Sequence, residues 1–189
     1  MGNTESSKKN KKQQTIIASG QQYQGIKPFH AKNVLLLHKS NATQLKVVRN
    51  FRNALISKTE GTVEVTYFIN IAEGSEIPGS PAWLDELHNI VLLILTPANI
   101  EQFERIILQK GFADKNGMLH PKVFSVSFGK KLDSEWPSKG LKKGSRNLRD
   151  FHFGFSDVES LRPQDFGSSA RLNSIIAAIK GADIKDQFQ

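Results

Sequence analysis

The chain of 189 residues contains no cysteine. That excludes a disulfide framework and a thiolate metal site, and it suits a reducing compartment. Long apolar runs are missing as well, whereas a membrane-spanning helix takes about 20 apolar residues. The longest run, Ile90-Val91-Leu92-Leu93-Ile94-Leu95, has the length of a buried strand. The first residues are polar and lysine-rich without an apolar stretch, so no secretory signal is expected there. The common catalytic signatures are absent too. No G-x-x-x-x-G-K-[ST] occurs, which argues against a P-loop nucleotidase. No G-x-G-x-x-G follows the first apolar run; His38-Lys39-Ser40-Asn41 stands there, so a Rossmann-type dinucleotide site is unsupported. No G-x-S-x-G is present, which removes the usual serine hydrolase. His30, His38, His88, His120 and His152 share no metal-ligand spacing, and no metal is expected. Asp114-Lys115-Asn116-Gly117 lacks the alternating oxygens of a calcium loop and reads as a turn.

What is present is positive charge in two places. The net charge is +8. Lys8, Lys9, Lys11 and Lys12 face only Glu5 in the first fourteen residues. The stretch 130–149 carries Lys130, Lys131, Lys139, Lys142, Lys143, Arg146 and Arg149 against Asp133 and Glu135. The remaining residues are neutral in sum. Patches of this kind meet anionic lipid, nucleic acid or an acidic protein face. Trp136 is the only aromatic in 130–149, so there is no stacking platform and nucleic acid is not the expected partner. Lys139, Lys142, Lys143, Arg146 and Arg149 form either a docking patch for lipid headgroups or an acidic protein, or a solvated loop.

Met1-Gly2-Asn3-Thr4-Glu5-Ser6 fits the myristoylation pattern M-G-x-x-x-[ST], with Gly2 as the acceptor. One myristoyl chain holds a membrane only marginally and needs a second signal. Lysines near an anionic leaflet add about 1 kcal/mol each, and four follow at once. The expectation is a lipid-anchored tail over residues 1–14, at the cytoplasmic face of a membrane. Residues 15–32 read as a flexible linker, rich in Gln with Gly20, Gly25 and Pro28. Residues 33–182 form the domain, and 183–189 a C-terminal tail.

Within the domain, apolar runs alternate with amphipathic segments. Val34 to His38 predicts a buried strand. Asn41 or Thr43 caps a helix whose apolar positions are Leu45, Val48, Phe51 or Ala54, and Leu55. Gly61 breaks it before the β-branched strand Val63–Ile69. A loop follows, then a short helix through Trp83, Leu84 and Leu87, and the central strand Ile90–Leu95. Ile100, Phe103, Ile106 and Ile107 mark a helix stopped by Gly111. Val123–Phe128 and Phe151–Phe155 are the last strands. Leu172, Ile175, Ile176 and Ile179 define a final helix closed by Gly181. Strands separated by helices imply a parallel sheet covered on both faces. The predicted class is α/β, a flavodoxin-like three-layer sandwich. Its five-stranded, mainly parallel sheet has order 2-1-3-4-5, with helices on both faces. Asp85-Glu86, after Trp83, is either a carboxylate pair near the strand ends or acidic residues favoured by a helix dipole.

The order of these features resembles the TIR and SEFIR superfamily of cytoplasmic signalling domains, spread over about residues 33–181. Val34-Leu35-Leu36-Leu37-His38 and Val63-Glu64-Val65-Thr66-Tyr67-Phe68 stand where those domains have their first two strands. Glu73-Gly74-Ser75-Glu76-Ile77-Pro78-Gly79 is similar to the following loop, where TIR domains carry a Pro-Gly pair. Trp83-Leu84-Asp85-Glu86-Leu87, followed by Ile90 to Leu95 and Thr96-Pro97, looks like the SEFIR pattern of a tryptophan helix, an apolar strand and a Ser/Thr-Pro end. The resemblance implies homotypic assembly through Glu76, Ile77, Pro78, Gly79 and Trp83, with Ile77-Pro78-Gly79 expected as an apolar, stiff loop tip. It also implies partners that are TIR/SEFIR-domain proteins or the chain itself, and no cofactor. A membrane-tethered adaptor, in innate immune signalling, is the leading expectation. The alternatives are an NAD-cleaving enzyme of TIR type and a lipid- or nucleic-acid-binding module using 130–149. The sequence departs from the TIR pattern where tryptophan-cysteine and a nearby catalytic glutamate belong: Asn99 to Arg105 reads Asn-Ile-Glu-Gln-Phe-Glu-Arg. The Phe-Trp element near the TIR C-terminus is missing as well, with Phe151-His152-Phe153 in that region. Glu86, Glu101 and Glu104 are the carboxylates available to the enzymatic alternative.

Overall fold

A computed structural model describes residues 31–132, 136–137, 140–141, 150–155 and 161–182. Gly2, Lys8, Lys9, Lys11 and Lys12 lie outside the described residues, as do Lys139, Lys142, Lys143, Arg146 and Arg149.

Five strands build the sheet: β1 (Lys32–His38), β2 (Val63–Asn70), β3 (Asn89–Ile94), β4 (Val123–Phe128) and β5 (Phe151–Phe153). The order is β2-β1-β3-β4-β5, and every pairing is parallel, as predicted. Helices α1 (Ala42–Lys58), α2 (Pro81–Asp85), α3 (Ile100–Lys110), α4 (Pro163–Gly167) and α5 (Ala170–Gly181) complete the fold. Successive strand residues point to opposite faces, and both faces are apolar in the central strands. Val34, Leu36, Ile90 and Leu92 point to one core, closed by Val48, Phe51 and Leu55 of α1 and by Leu172, Ile175 and Ile179 of α5. Leu35, Leu37, Val91 and Leu93 point to the other, closed by Leu84 of α2 and by Phe103, Ile106 and Ile107 of α3. Phe51, Phe128, Phe153 and Phe166 meet edge-to-face in the first core, with the Phe51 and Phe166 ring centres 5.8 Å apart.

Asn41, not Thr43, caps α1. Its side chain accepts from Gln44 N while the Gln44 side chain accepts from Asn41 N, a closed capping box. The buried stripe of α1 includes Val47, and Leu45 is only half-buried. Lys32, expected in the linker, is the first residue of β1.

Four further details depart from the sequence reading. The register of β2 on β1 slips between Val34 and Leu35, so Thr66 is an extra residue. The bulge turns Phe68, rather than Tyr67, toward the core of Val63 and Val65, and Tyr67 is 40% exposed. Helix α2 ends at Asp85 and never reaches Leu87, which is 68% exposed. It stops because Glu86 is extended and Lys122 Nζ takes the carbonyls of Leu84 and Glu86, at 2.8 and 2.9 Å. His88 then adopts a left-handed φ of 72° to swing the chain into β3. Strand β5 ends at Phe153, and Phe155 stacks on Phe153 and meets Phe166 edge-to-face instead of extending the ladder. Helix α4, started by Pro163, has no apolar period that would announce it.

Candidate functional site

In an open parallel sheet, ligands bind beyond the carboxyl ends of the strands, where the chain order reverses. Here that point lies between β1 and β3, from which connections leave in opposite directions. A cavity of about 270 Å³ opens there. Val47, Val48, Ile94, Leu95 and Phe128 form its apolar walls. Lys39, Ser40, Thr43, Thr96, Gly129 and Lys130 supply its polar lining. No carboxylate lines it, and the first turn of α1 carries no acidic residue. The positive end of the α1 dipole and two lysines therefore favour an anion.

Local chemistry fixes the lips of this crevice. Asn99 Oδ1 accepts from Thr96 N at 2.8 Å and so holds the turn after β3. Gly129 turns the chain after β4 at φ 75°, and its N–H donates to Phe153 O. His38 ends β1 and is buried beside Phe68, with ring centres 4.5 Å apart. Its Nδ1 lies 3.0 Å from Ser40 Oγ, and its buried Nε2 has no partner. Burial, then the charge of Arg49, lowers its pKa to about 4, so the ring is neutral near pH 7.

The loop after β2 leaves the same edge. Glu73, Gly74, Ser75 and Glu76 are exposed. Ile77, Pro78 and Gly79, expected as an apolar tip, are half-buried instead. Ile77 packs on the second core. Gly79 has φ 97°, and a Cβ there would lie 3.2 Å from Phe112 and 3.3 Å from Leu35. A side chain here would be strained at this φ and would force Phe112 and Leu35 to give way. Ser80 then caps α2 by accepting from Trp83 N, and half-buried Trp83 packs on the same core. The loop is thus a charged tip on an apolar tether.

None of the three glutamates lines the crevice. Glu86 accepts from Asn89 Nδ2 at 3.3 Å, at the amino-terminal end of β3. Glu101 is exposed in the first turn of α3, and Glu104 is half-buried one turn later. Asp85 meets His120 at 3.2 Å. Among the described residues no group of three or more His, Asp or Glu could hold a metal ion.

Sequence reading missed one polar cluster. Ser127 Oγ donates to Asp150 and lies 2.9 Å from His152 Nδ1. Burial pushes the Asp150 carboxyl above its usual range. The residue types are those of a catalytic triad, but the hydroxyl, not the imidazole, sits in the middle, and Ser127 is 0% exposed. The cluster is a partly buried network joining β4 to Asp150 and β5. The alternation of Ser125 and Ser127 within an apolar strand was its only sequence signal.

Comparison with known proteins finds no matching family model, no similar curated protein and no matching solved structure. The fold itself hosts many unrelated functions, so function has to be argued from the surfaces and the crevice.

Proposed function

We propose that this chain is a membrane-tethered signalling adaptor. Its domain self-associates or binds TIR/SEFIR-like domains through the loop after β2, and the resemblance points to innate immune signalling. The observation that carries this reading is the build of that loop. Glu73 to Glu76 stand in solvent, while Ile77, Gly79 and Trp83 are anchored on the core. A pre-shaped tip loses little conformational entropy on docking. The anchor would come from Gly2 myristoylation and the adjacent lysines. Among the described residues no helix is long and apolar enough to cross a membrane. Pro78→His tests the reading: assembly or partner capture should be lost while the thermal transition stays cooperative. Normal assembly by that variant would remove the loop from the account. Gly2→Ala should release the protein from anionic vesicles.

The crevice favours a second reading, an enzyme or sensor that takes NAD or another phosphate-bearing molecule. Its cationic rim and apolar wall suit such a ligand. Incubation of purified protein with NAD should then release nicotinamide, and Lys39→Gln with Lys130→Gln should reduce it. No release, and no protection of the fold by NAD, would exclude it.

A further inference from the structure

Outside the two basic stretches the charges sum to zero, and that sum hides two opposed surfaces. Residues 59–104 contain eight acidic side chains and not one lysine or arginine. Residues 15–58 contain seven basic side chains and not one acidic residue. Of these, Lys39, Lys46, Arg49 and Lys58 are exposed on and beside α1. Arg52 lies over the Phe68 ring at 4.6 Å. The acidic set includes exposed Glu73 and Glu76 on the loop tip, Asp85 after Trp83, and Glu101 on α3.

The fold sends these sets to opposite sides. α1 covers the core of Val34 and Leu36, whereas Ile77, Trp83 and α3 cover the core of Leu35 and Leu37. Among the described residues, neither the Asp85–His120 pair nor the Arg162–Asp165 pair joins the two surfaces. The field of the α1 cations reaches inward, since Arg49 helps lower the pKa of His38.

We propose that copies of this domain associate head to tail, the acidic surface around Glu73 and Glu76 of one against Lys46 and Arg49 on α1 of the next. This rests on the self-association reading above and adds the counter-surface that the loop meets. The occupant is a second copy because the same chain carries both halves of the match, and complementary potentials steer and orient docking. Two different patches make a heterologous contact, which propagates as a row rather than closing into a two-fold dimer. Each exposed pair is weak and screened by salt. A membrane anchor compensates by raising the effective concentration.

The test uses the full chain in three forms, followed by sedimentation and by clustering on vesicles. One variant is Glu73→Lys with Glu76→Lys; the other is Lys46→Glu with Arg49→Glu. All four positions are exposed, so both variants should melt like the wild type. The wild type should associate, weakening roughly tenfold as salt rises from about 50 to about 300 mM. Each variant alone should be monomeric, having two surfaces of like sign. An equimolar mixture should associate again to within a few-fold of the wild type. A mixture that stays monomeric while the wild type associates overturns the proposal. So does either variant associating alone as the wild type does. So does loss of anionic-vesicle binding by Lys46→Glu with Arg49→Glu without rescue in the mixture, which would assign α1 to lipid. If Pro78→His abolishes assembly and the charge reversals do not, the adaptor reading stands and the head-to-tail contact falls. A wild type that is monomeric in solution and on vesicles removes both.

Discussion

Lys122, Asn89 and Asn33 knit the amino-terminal end of the sheet together, whereas the carboxyl-terminal end opens around Lys39, Ser40, Thr96 and Lys130. At the closed end, Asn33 Nδ2 donates to Asn89 Oδ1 at 3.2 Å and Asn89 Nδ2 donates to Trp83 O at 2.8 Å. Lys122, 2% exposed, finishes the last carbonyls of α2. At the open end, two lysines rim a cavity and His38 keeps a buried nitrogen without a partner. The difference separates tasks. Polar groups at the closed end hold α2 and, through it, the loop. Charges at the open end contribute little to the fold and remain available to a ligand.

That contrast can be broken first at Lys122. Lys122→Met leaves the buried carbonyl of Leu84 and the partly buried carbonyl of Glu86 without their charged donor and should cost about 3 kcal/mol in urea unfolding. A loss below about 0.5 kcal/mol would show that the closed end is not held as described. Gly79→Ala should come next, at about 2 kcal/mol, because a Cβ meets Phe112 and Leu35 at a backbone angle that side chains avoid. It should also impair assembly by displacing the loop tip. A variant as stable and as associative as the wild type would contradict the tether.

The third prediction concerns pH. His38 takes a proton at about 4 in the folded protein and near 6.5 when unfolded, so the unfolded chain binds more protons in between. The penalty is absent above about 6.5, grows as pH falls, and is complete below about 4. The full shift would amount to about 3 kcal/mol; discounted for solvent screening it should reach about 2 kcal/mol, read as the difference between the wild type and His38→Phe across that window. Asp150 works with the opposite sign: its raised pKa makes the folded form the better proton acceptor, so acidification relieves it. A flat difference curve for His38→Phe would deny the buried neutral ring. The smallest effect belongs to the open end. Lys39→Gln with Lys130→Gln should leave stability within about 0.5 kcal/mol while weakening anion binding at the crevice, read by calorimetry with inorganic phosphate. Unchanged phosphate binding would remove the crevice from consideration.

The architecture was legible because its signals are local and redundant. Continuous apolar runs mark β1 and β3, Asn41 begins α1, and Gly111 ends α3 at φ 70°. What escaped depends on pairing between distant segments. The bulge at Thr66 exists only against β1, and the Ser127–Asp150–His152 cluster forms only when β4 and β5 align. The early stop of α2 is imposed by Lys122, which lies 36 residues after Glu86 in sequence. The buried faces of Ile77 and Gly79 likewise depend on Phe112 and Leu35, so the apolar loop tip expected from sequence proved to be its tether. The charge segregation was visible in the sequence but vanished in the summed charge, since its two halves cancel.

The proposed assembly of a lipid-anchored domain runs through the loop after β2. Its most direct test is energy transfer between dye-labelled copies of the full myristoylated chain on anionic vesicles, where the absence of native cysteine allows one introduced labelling site. The account predicts transfer well above that of randomly placed molecules at the same surface density, falling to the random level with Pro78→His. Equal transfer by the wild type and Pro78→His, or none above random for the wild type, would contradict it.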